Sequence, residues 1–288
     1  MTTKVAVVGL GRMGAAMAGR LAERGFDVAG HDVRPDAAKA LDGAIRCCSD
    51  LDELRPWAEV VVLSLPLPEH IESVLTGPEG LLSAGCTRLR VVDTSTSDPA
   101  VTERLATRLR DHGGALVDAP VSGGPAGAAA GTLAMMLGGE AADIEVVRPV
   151  LEALATKLVH VGPSGAGHTA KLVNNVLCAA HILLAGEALR LGAATGTPAA
   201  TLVNAVNGAS GRSGVTEVNV PRWILSESFD SGFTLALMAK DLSLAARLAE
   251  RSGLALPLID AVIARWQAAV AAFGGDEDFN RAYFGDKT

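Results

Sequence analysis

Short apolar runs alternate with amphipathic stretches through the first half of the chain. Residues 4–9 (KVAVVG) are almost wholly apolar, the pattern of a strand buried on both faces. Residues 12–24 carry Met13, Met17 and Leu21 at four-residue spacing, one face of a helix that Gly25 ends. Runs at 27–32 (DVAGHD), 59–65 (EVVVLSL), 90–94 (RVVDT) and 115–119 (ALVDA) predict further strands, and 98–111 predicts a helix between two of them. Strands alternating with helices imply βαβ units and a mostly parallel sheet. The pattern changes near Gly165, after which the chain reads as helix after helix. Residues 166–195 are apolar on most sides, which predicts a buried helix, and 198–207, 233–252 and 256–273 predict three more. The segment GPSGAG at 162–167 breaks the two patterns apart. The expected organisation is an α/β domain over residues 1–163 followed by an all-α domain over 164–288, with an exposed polar tail from 274 to 288.

Composition narrows the class. In 288 residues, 49% are hydrophobic and 20% charged, which is ordinary for a globular protein and excludes dominant disorder. The net charge of −7 and the absence of a basic stripe argue against nucleic-acid binding, and 3% aromatics with a single tyrosine, Tyr283, leave no base-stacking platform. Cys47, Cys48, Cys86 and Cys178 form no Cys-x-x-Cys pair, so neither structural zinc nor a disulfide framework is expected. Unpatterned cysteines fit a reducing compartment. The apolar N-terminal run lacks a preceding basic region, and no 18-residue apolar stretch is free of charge. A cytoplasmic protein with no membrane span is expected.

Gly9-Leu10-Gly11-Arg12-Met13-Gly14 is a G-x-G-x-x-G motif. Alone it is a weak signal. Here it follows a strand, opens a helix, and is followed 18 residues after Gly14 by Asp32 at the end of the next strand. That context is the dinucleotide-binding fingerprint of a Rossmann-type domain. The first glycine permits the tight turn, the second lets backbone approach a pyrophosphate, and the third lets helix and strand pack. The helix N-terminus presents free N–H groups to the phosphates. Asp32 is suited to the ribose hydroxyls and would repel a 2′-phosphate, which favours NAD over NADP. Arg34, two residues on, could meet a 2′-phosphate or cover the adenine, so NADP stays open as the alternative.

Two further segments carry candidate chemistry. Residues 118–139 read DAPVSGGPAGAAAGTLAMMLGG, where Ser122-Gly123-Gly124 is a turn rich in backbone donors. Such a turn suits a carboxylate, or it is a loop that needs small residues for packing. Lys171, one of six lysines, stands four residues before Asn175 on the long apolar helix, one turn away on the same face. A buried lysine loses basicity from its usual value of about 10.4 and becomes a general acid/base near neutral pH; a lysine that snorkels at a helix end does not. Lys240-Asp241, in another apolar helical run, reads more readily as a local solvated charge pair.

Four ordered blocks, GLGRMGAAMAGRL, DAPVSGGPAGAAAGTLAMMLGG, GAGHTAKLVNN and MAKDLSLA, span essentially the whole chain. Together they resemble the β-hydroxyacid dehydrogenase family, which includes 3-hydroxyisobutyrate dehydrogenases. The resemblance implies a Rossmann-type domain followed by a helical domain, with the site in the cleft between them. It implies hydride transfer between NAD(P) and a small β-hydroxy acid or its semialdehyde or keto partner, with Lys171 as general acid/base. Asn175 would contact substrate and lysine, and Ser122, Gly123 and Gly124 would hold the substrate carboxylate. Gly9, Gly11, Arg12, Met13, Gly14, Asp32 and Arg34 would bind the dinucleotide. Leu65 and Pro66 would line it, Thr96 would lie near the nicotinamide ribose, and Lys240 near the nicotinamide end. The partners implied are a small carboxylate substrate and further copies of the chain, as a homodimer or homotetramer through the helical domain.

Two rival readings go with this one. Imine reductases resemble the same architecture, but those associated with the fold usually lack the lysine at position 171. A non-catalytic dinucleotide-binding module is the other, and Lys171, Asn175 and the Ser122 turn speak against it. The stretch 207–221 (NGASGRSGVTEVNVP) is expected to shape specificity through Arg212, Ser213 or Glu217, with Arg222 also able to reach an anion.

Overall fold

The computed structural model describes residues 2–37, 41, 45–83 and 88–285. The chain forms two compact units, Met1–Lys171 and Leu172–Thr288. Cys86 and residues 286–288 of the tail lie outside the described residues.

The first unit is a twisted sheet with helices on both faces. Its strands are β1 (Lys4–Val8), β2 (Asp27–His31), β3 (Arg46–Cys47), β4 (Val60–Leu63), β5 (Arg90–Asp93), β6 (Ala115–Asp118), β7 (Val121–Ser122), β8 (Leu133–Gly138) and β9 (Ala155–Gly162). They lie in the order β3-β2-β1-β4-β5-β6-β8-β7, with β9 paired to β8. The first six are parallel, and β8 runs antiparallel to β6 and β7. The intervening helices are α1 (Arg12–Glu23), α2 (Leu51–Leu54), α3 (Pro68–Thr76), α4 (Pro99–Asp111), α5 (Gly124–Ala130) and α6 (Ala141–Leu154).

The strands read as unbroken apolar runs because each buries both faces. In β1, Val5 and Val7 join the core under α1 and α6, while Ala6 and Val8 join the core under α3 and α4. The same alternation sends Val60 and Val62 one way and Val61 and Leu63 the other. Met17 and Leu21 of α1 are fully buried against the first of these cores, as the four-residue spacing predicts. The order of connection reverses at β1, with β2 on one side and β4 on the other. The carboxyl ends of β1 and β4 therefore flank the topological switch point, where open α/β sheets bind ligands.

The second unit is helical. The helix α7 (Ala166–Ala193) runs into it from the first, and α8 (Ala199–Asn207), a π-helix (Val215–Ile224), α9 (Leu235–Arg251), α10 (Pro257–Phe273) and a short 3-10 helix (Phe279–Phe284) follow. Trp266, fully buried, centres its core, with Val176, Ala179, Ile182 and Leu189 of α7 beside it. Two expectations need correction here. The long helix is not buried all round, since Val173, Leu177, Leu184 and Leu191 are exposed along one side. The tail is exposed only in part, since Gly274, Asp276, Glu277 and Phe284 are exposed but Phe279, Asn280, Ala282 and Tyr283 are buried. Its polar side chains satisfy one another. Asn219 donates to Asn280 (2.7 Å), Asn280 donates to Asp278 (2.8 Å), and Asp278 accepts from the Ser231 amide (2.7 Å). By length and hydropathy α7 is the one helix among the described residues apolar enough to cross a membrane. The core helix of a globular unit has the same signature, and one side of α7 is such a helix.

Candidate functional site

The glycine turn leaves β1 and enters α1. Gly9 has φ +92°, a conformation that favours glycine, and a Cβ there would run into the Ser64 carbonyl at the end of β4. A Cβ on Gly14 would run into the Gly9 carbonyl. A Cβ on Gly11 would meet nothing nearer than the Arg34 guanidinium at 3.9 Å. The three glycines therefore differ in kind. Gly9 and Gly14 are required by the fold, and Gly11 faces open space. Gly11 caps α1 without any side-chain hydrogen bond, and no acidic residue stands in the first turn. The leading amides and the positive end of the helix are left for an anion, which is the fit a dinucleotide pyrophosphate needs. Arg12 is exposed beside them, while the Met13 side chain packs on the core.

Asp32 stands just beyond β2. Its carboxylate accepts from the Leu10 amide (2.8 Å) inside the glycine turn and from the Arg34 amide (2.8 Å), and the Arg34 guanidinium grips both oxygens (3.1 and 3.2 Å). Burial works against its ionisation, but the Arg34 and Leu10 hydrogen bonds outweigh it and lower its pKa from the ordinary aspartate value. Asp32 is thus a fixed anion tied to the turn. Leu65 is half-buried and Pro66 exposed just past β4, and Thr96 is half-buried past β5. All these residues belong to the carboxyl edge of the parallel sheet. Ser122 and Gly123 are exposed, and Gly123 and Gly124 both have positive φ (131° and 65°), so the turn after β7 needs glycine for its backbone as well as for any ligand.

Behind this edge lies a buried polar network that the sequence motifs contain but do not announce. Asp118, at the end of β6 and fully buried, accepts from the Gly165 amide (2.8 Å) and the His168 amide (3.0 Å). His168, also fully buried, has Nδ1 2.7 Å from the Thr102 hydroxyl and Nε2 3.1 Å from the Ser95 carbonyl. Asp93 lies 3.7 Å from the same Nε2 and accepts from the Ser95 amide (3.0 Å). Burial pushes the Asp93 pKa up, against the counter-effect of His168. Ser95 in turn accepts from the Leu65 amide (3.0 Å).

Lys171 is half-buried at the end of the first unit, and Asn175 is buried four residues on along α7. In the second unit Asn175 donates to Asp241 (2.6 Å) and Asn174 donates to Asn175 (3.1 Å). Asp241 is buried, and Lys240 Nζ lies 2.8 Å from its other oxygen. That contact is ionic rather than a hydrogen bond, because the oxygen lacks a partner of hydrogen-bonding geometry. The Lys240-Asp241 pair is therefore largely desolvated, which corrects the solvated pair that its sequence suggests. Arg212 and Glu217 are exposed and form a loose pair at 3.7 Å.

Residues 4–162 match the family described as the NAD-binding domain of 6-phosphogluconate dehydrogenase, and 165–283 match NAD-binding of NADP-dependent 3-hydroxyisobutyrate dehydrogenase. The chain belongs to the β-hydroxyacid dehydrogenase family. It is 35% identical to the NAD-dependent L-serine dehydrogenase of Pseudomonas aeruginosa, over 96% of this chain and 95% of the relative. It is 36% identical to the 3-hydroxyisobutyrate dehydrogenase of the same organism, over 89% and 88%. The solved Mycobacterium tuberculosis 3-hydroxyisobutyrate dehydrogenase with L-serine superposes with a TM-score of 0.89 at 33% identity, covering 98% of both chains. The protein is an oxidoreductase that transfers hydride between a nicotinamide dinucleotide and a small hydroxy acid. Like its family, it combines a Rossmann-type unit with a helical one.

Proposed function

We propose that the chain is a dehydrogenase of small β-hydroxy acids of the size of serine and 3-hydroxyisobutyrate, prefers NAD, and uses Lys171 as general acid/base. The observation that carries the cofactor reading is Asp32, an anion fastened to the glycine turn. It offers acceptors to ribose hydroxyls, whereas a 2′-phosphate would meet its charge and would have to draw Arg34 away from it. The turn Gly9 to Gly14 holds the pyrophosphate through the amides of Gly11, Arg12 and Met13. Leu65, Pro66 and Thr96 border the nicotinamide half, and Lys240 serves its far end.

The bound dinucleotide supplies the hydride acceptor in oxidation and the donor in reduction. Ser122, Gly123 and Gly124 orient the substrate through its carboxylate, and orientation of this kind removes several kcal/mol of barrier, on the order of 7–11 in the best cases. In oxidation, the carbinol C–H pair leaves as hydride, the O–H bond breaks, and Lys171 Nζ takes the proton as the carbonyl forms. In reduction, Lys171 returns it. Asn175 binds the same hydroxyl and orients the lysine. The 1–163 and 164–288 division describes the cofactor and substrate domains. The exposed Val173, Leu177, Leu184 and Leu191 side of α7 supports a homodimer or homotetramer through the helical domain. Four cysteines without disulfide or zinc-ligand spacing support a cytoplasmic home.

The test is oxidation across a panel of small β-hydroxy acids with NAD⁺ and NADP⁺ in parallel. NAD⁺ should give the higher kcat/KM by about tenfold or more, equivalent to ~1.4 kcal/mol. Asp32→Ala should shrink that ratio, and a higher kcat/KM with NADP⁺ overturns the preference. Lys171→Ala should lower kcat by about 10²–10⁴ with dinucleotide affinity kept, and near-full turnover overturns its role.

A further inference from the structure

The long helix that bears Lys171 needs its first turn fixed, and the structure fixes it from three directions. We propose that Asp118, Thr102 and His168 are positioning residues that clamp this turn, and with it Lys171, to the carboxyl edge of the sheet. The proposal rests on the reading of Lys171 as the acid/base.

The geometry of the carboxylate comes first. Amides at the start of a helix have no partner within it. Asp118 reaches across 47 and 50 residues to accept from Gly165 and His168, one oxygen each. It is a helix cap supplied by a strand. The approach is close enough to demand glycine twice. A Cβ on Gly138 would lie 2.5 Å from Asp118 Oδ2, and one on Gly167 would lie 2.8 Å from the same oxygen.

The imidazole supplies the other two directions. The Ser95 carbonyl only accepts, so His168 Nε2 carries a proton. When the ring is neutral, the Thr102 hydroxyl donates to Nδ1. When it is protonated, Nδ1 donates to that hydroxyl, which then turns to the Asp98 carbonyl at 3.2 Å. The ring is anchored in both states. Through Ser95, whose hydroxyl accepts from Leu65, the anchor reaches the end of β4. One network therefore joins the residue expected to line the cofactor to the helix that bears the proposed acid/base. Asp118 and His168 are completely buried, so neither can touch substrate. Lys171 follows His168 by three residues, on a neighbouring position of the same helix face. A slip of about 1 Å at this distance costs roughly 10²-fold in rate.

Thr102→Val keeps the shape and removes the hydroxyl, while Thr102→Ser keeps the hydroxyl. Asp118→Asn turns one acceptor into a donor that faces an N–H. Two readouts are taken on the full chain: amide exchange over residues 163–172 without ligands, and kcat, KM and dinucleotide Kd with them. Leu151→Ala, in the core under α6 on the face of the sheet opposite α4, serves as a destabilised control. Thr102→Val and Asp118→Asn should each raise exchange by about tenfold, lower kcat by about tenfold or more, leave dinucleotide Kd within about twofold, and move the limb of the pH–kcat profile attributed to Lys171. Thr102→Ser should restore all of these, and Leu151→Ala should lower Tm without moving the limb. Unchanged exchange in both variants overturns the clamp, whatever Lys171→Ala does. Raised exchange with wild-type kcat overturns its role in turnover. Turnover retained by Lys171→Ala sinks the reading of the lysine alone and leaves the exchange result to decide the clamp.

Discussion

The glycine turn of the first unit and the polar chains of the second hold their polar groups by opposite means. In the first, the glycine turn is made of backbone: Gly9 and Gly14 exclude any Cβ, and Gly11 caps the helix without a side-chain hydrogen bond. In the second, the work falls to side chains in series. Asn219, Asn280, Asp278 and Ser231 form one such chain, and Asn174, Asn175, Asp241 and Lys240 form another. A backbone device fails when an atom is added. A side-chain device fails when a partner is taken away, because the group left behind is buried without one.

The largest effects belong to the first kind. Gly14→Ala places a methyl inside the Gly9 carbonyl, so α1 must move off β1. The expected loss is about 3 kcal/mol or more of stability, together with dinucleotide binding, read by denaturant titration and by cofactor fluorescence. Gly11→Ala is the sharper half of the comparison. Its Cβ meets no protein backbone, so the melt should stay within about 0.5–1 kcal/mol of wild type while dinucleotide Kd rises about tenfold or more. Equal losses of stability in the two variants would show that Gly11 also serves the fold and would break the distinction.

Next in size is the second kind. Asn280→Ala removes a completely buried amide that pairs Asn219 with Asp278. The expected cost is about 2–4 kcal/mol, from one or two unsatisfied buried groups and a small cavity. A melt within experimental error of wild type would mean that the tail is held by Phe279 and Tyr283 alone.

This difference in construction also decides what the sequence reveals. A backbone device needs glycine at fixed offsets, and Gly9, Gly11, Gly14 and Asp32 are legible for that reason. The parallel strands are legible because burial on both faces turns β1, β2, β4, β5 and β6 into apolar runs. The antiparallel edge is not. β8 is LAMMLG, residues with good helix propensity held in a strand by its neighbours, and β3 and β7 are two residues each, too short for any period. The π-helix contains Pro221 and has no local signal at all. Asp118 and His168 sit inside recognised motifs, yet their partners are 47 to 73 residues away, and a single polar residue at a strand end does not declare its partner. The tail reads as exposed because Asp278 and Asn280 are polar. Their mutual satisfaction, which lets them be buried, is a property of three dimensions.

The smallest effect concerns Asp93, which both the amide and the side chain of Ser95 hold. Burial raises its pKa in the folded protein, with His168 only partly offsetting. The folded state therefore binds this proton more tightly than the unfolded one. The sign follows: the contribution to stability is full below the unfolded aspartate pKa and is lost as pH rises through the folded value. At neutral pH the carboxyl is a cost that an amide would not carry. Asn at this position keeps an acceptor for the Ser95 amide, whose hydrogen bond Asp93 accepts at 3.0 Å. Asp93→Asn should hold the fold and flatten the decline in stability between mildly acidic and neutral pH, measured by urea melts across that range. A steeper decline in the variant would mean that the counter-effect of His168, 3.7 Å away, outweighs the desolvation of the carboxylate.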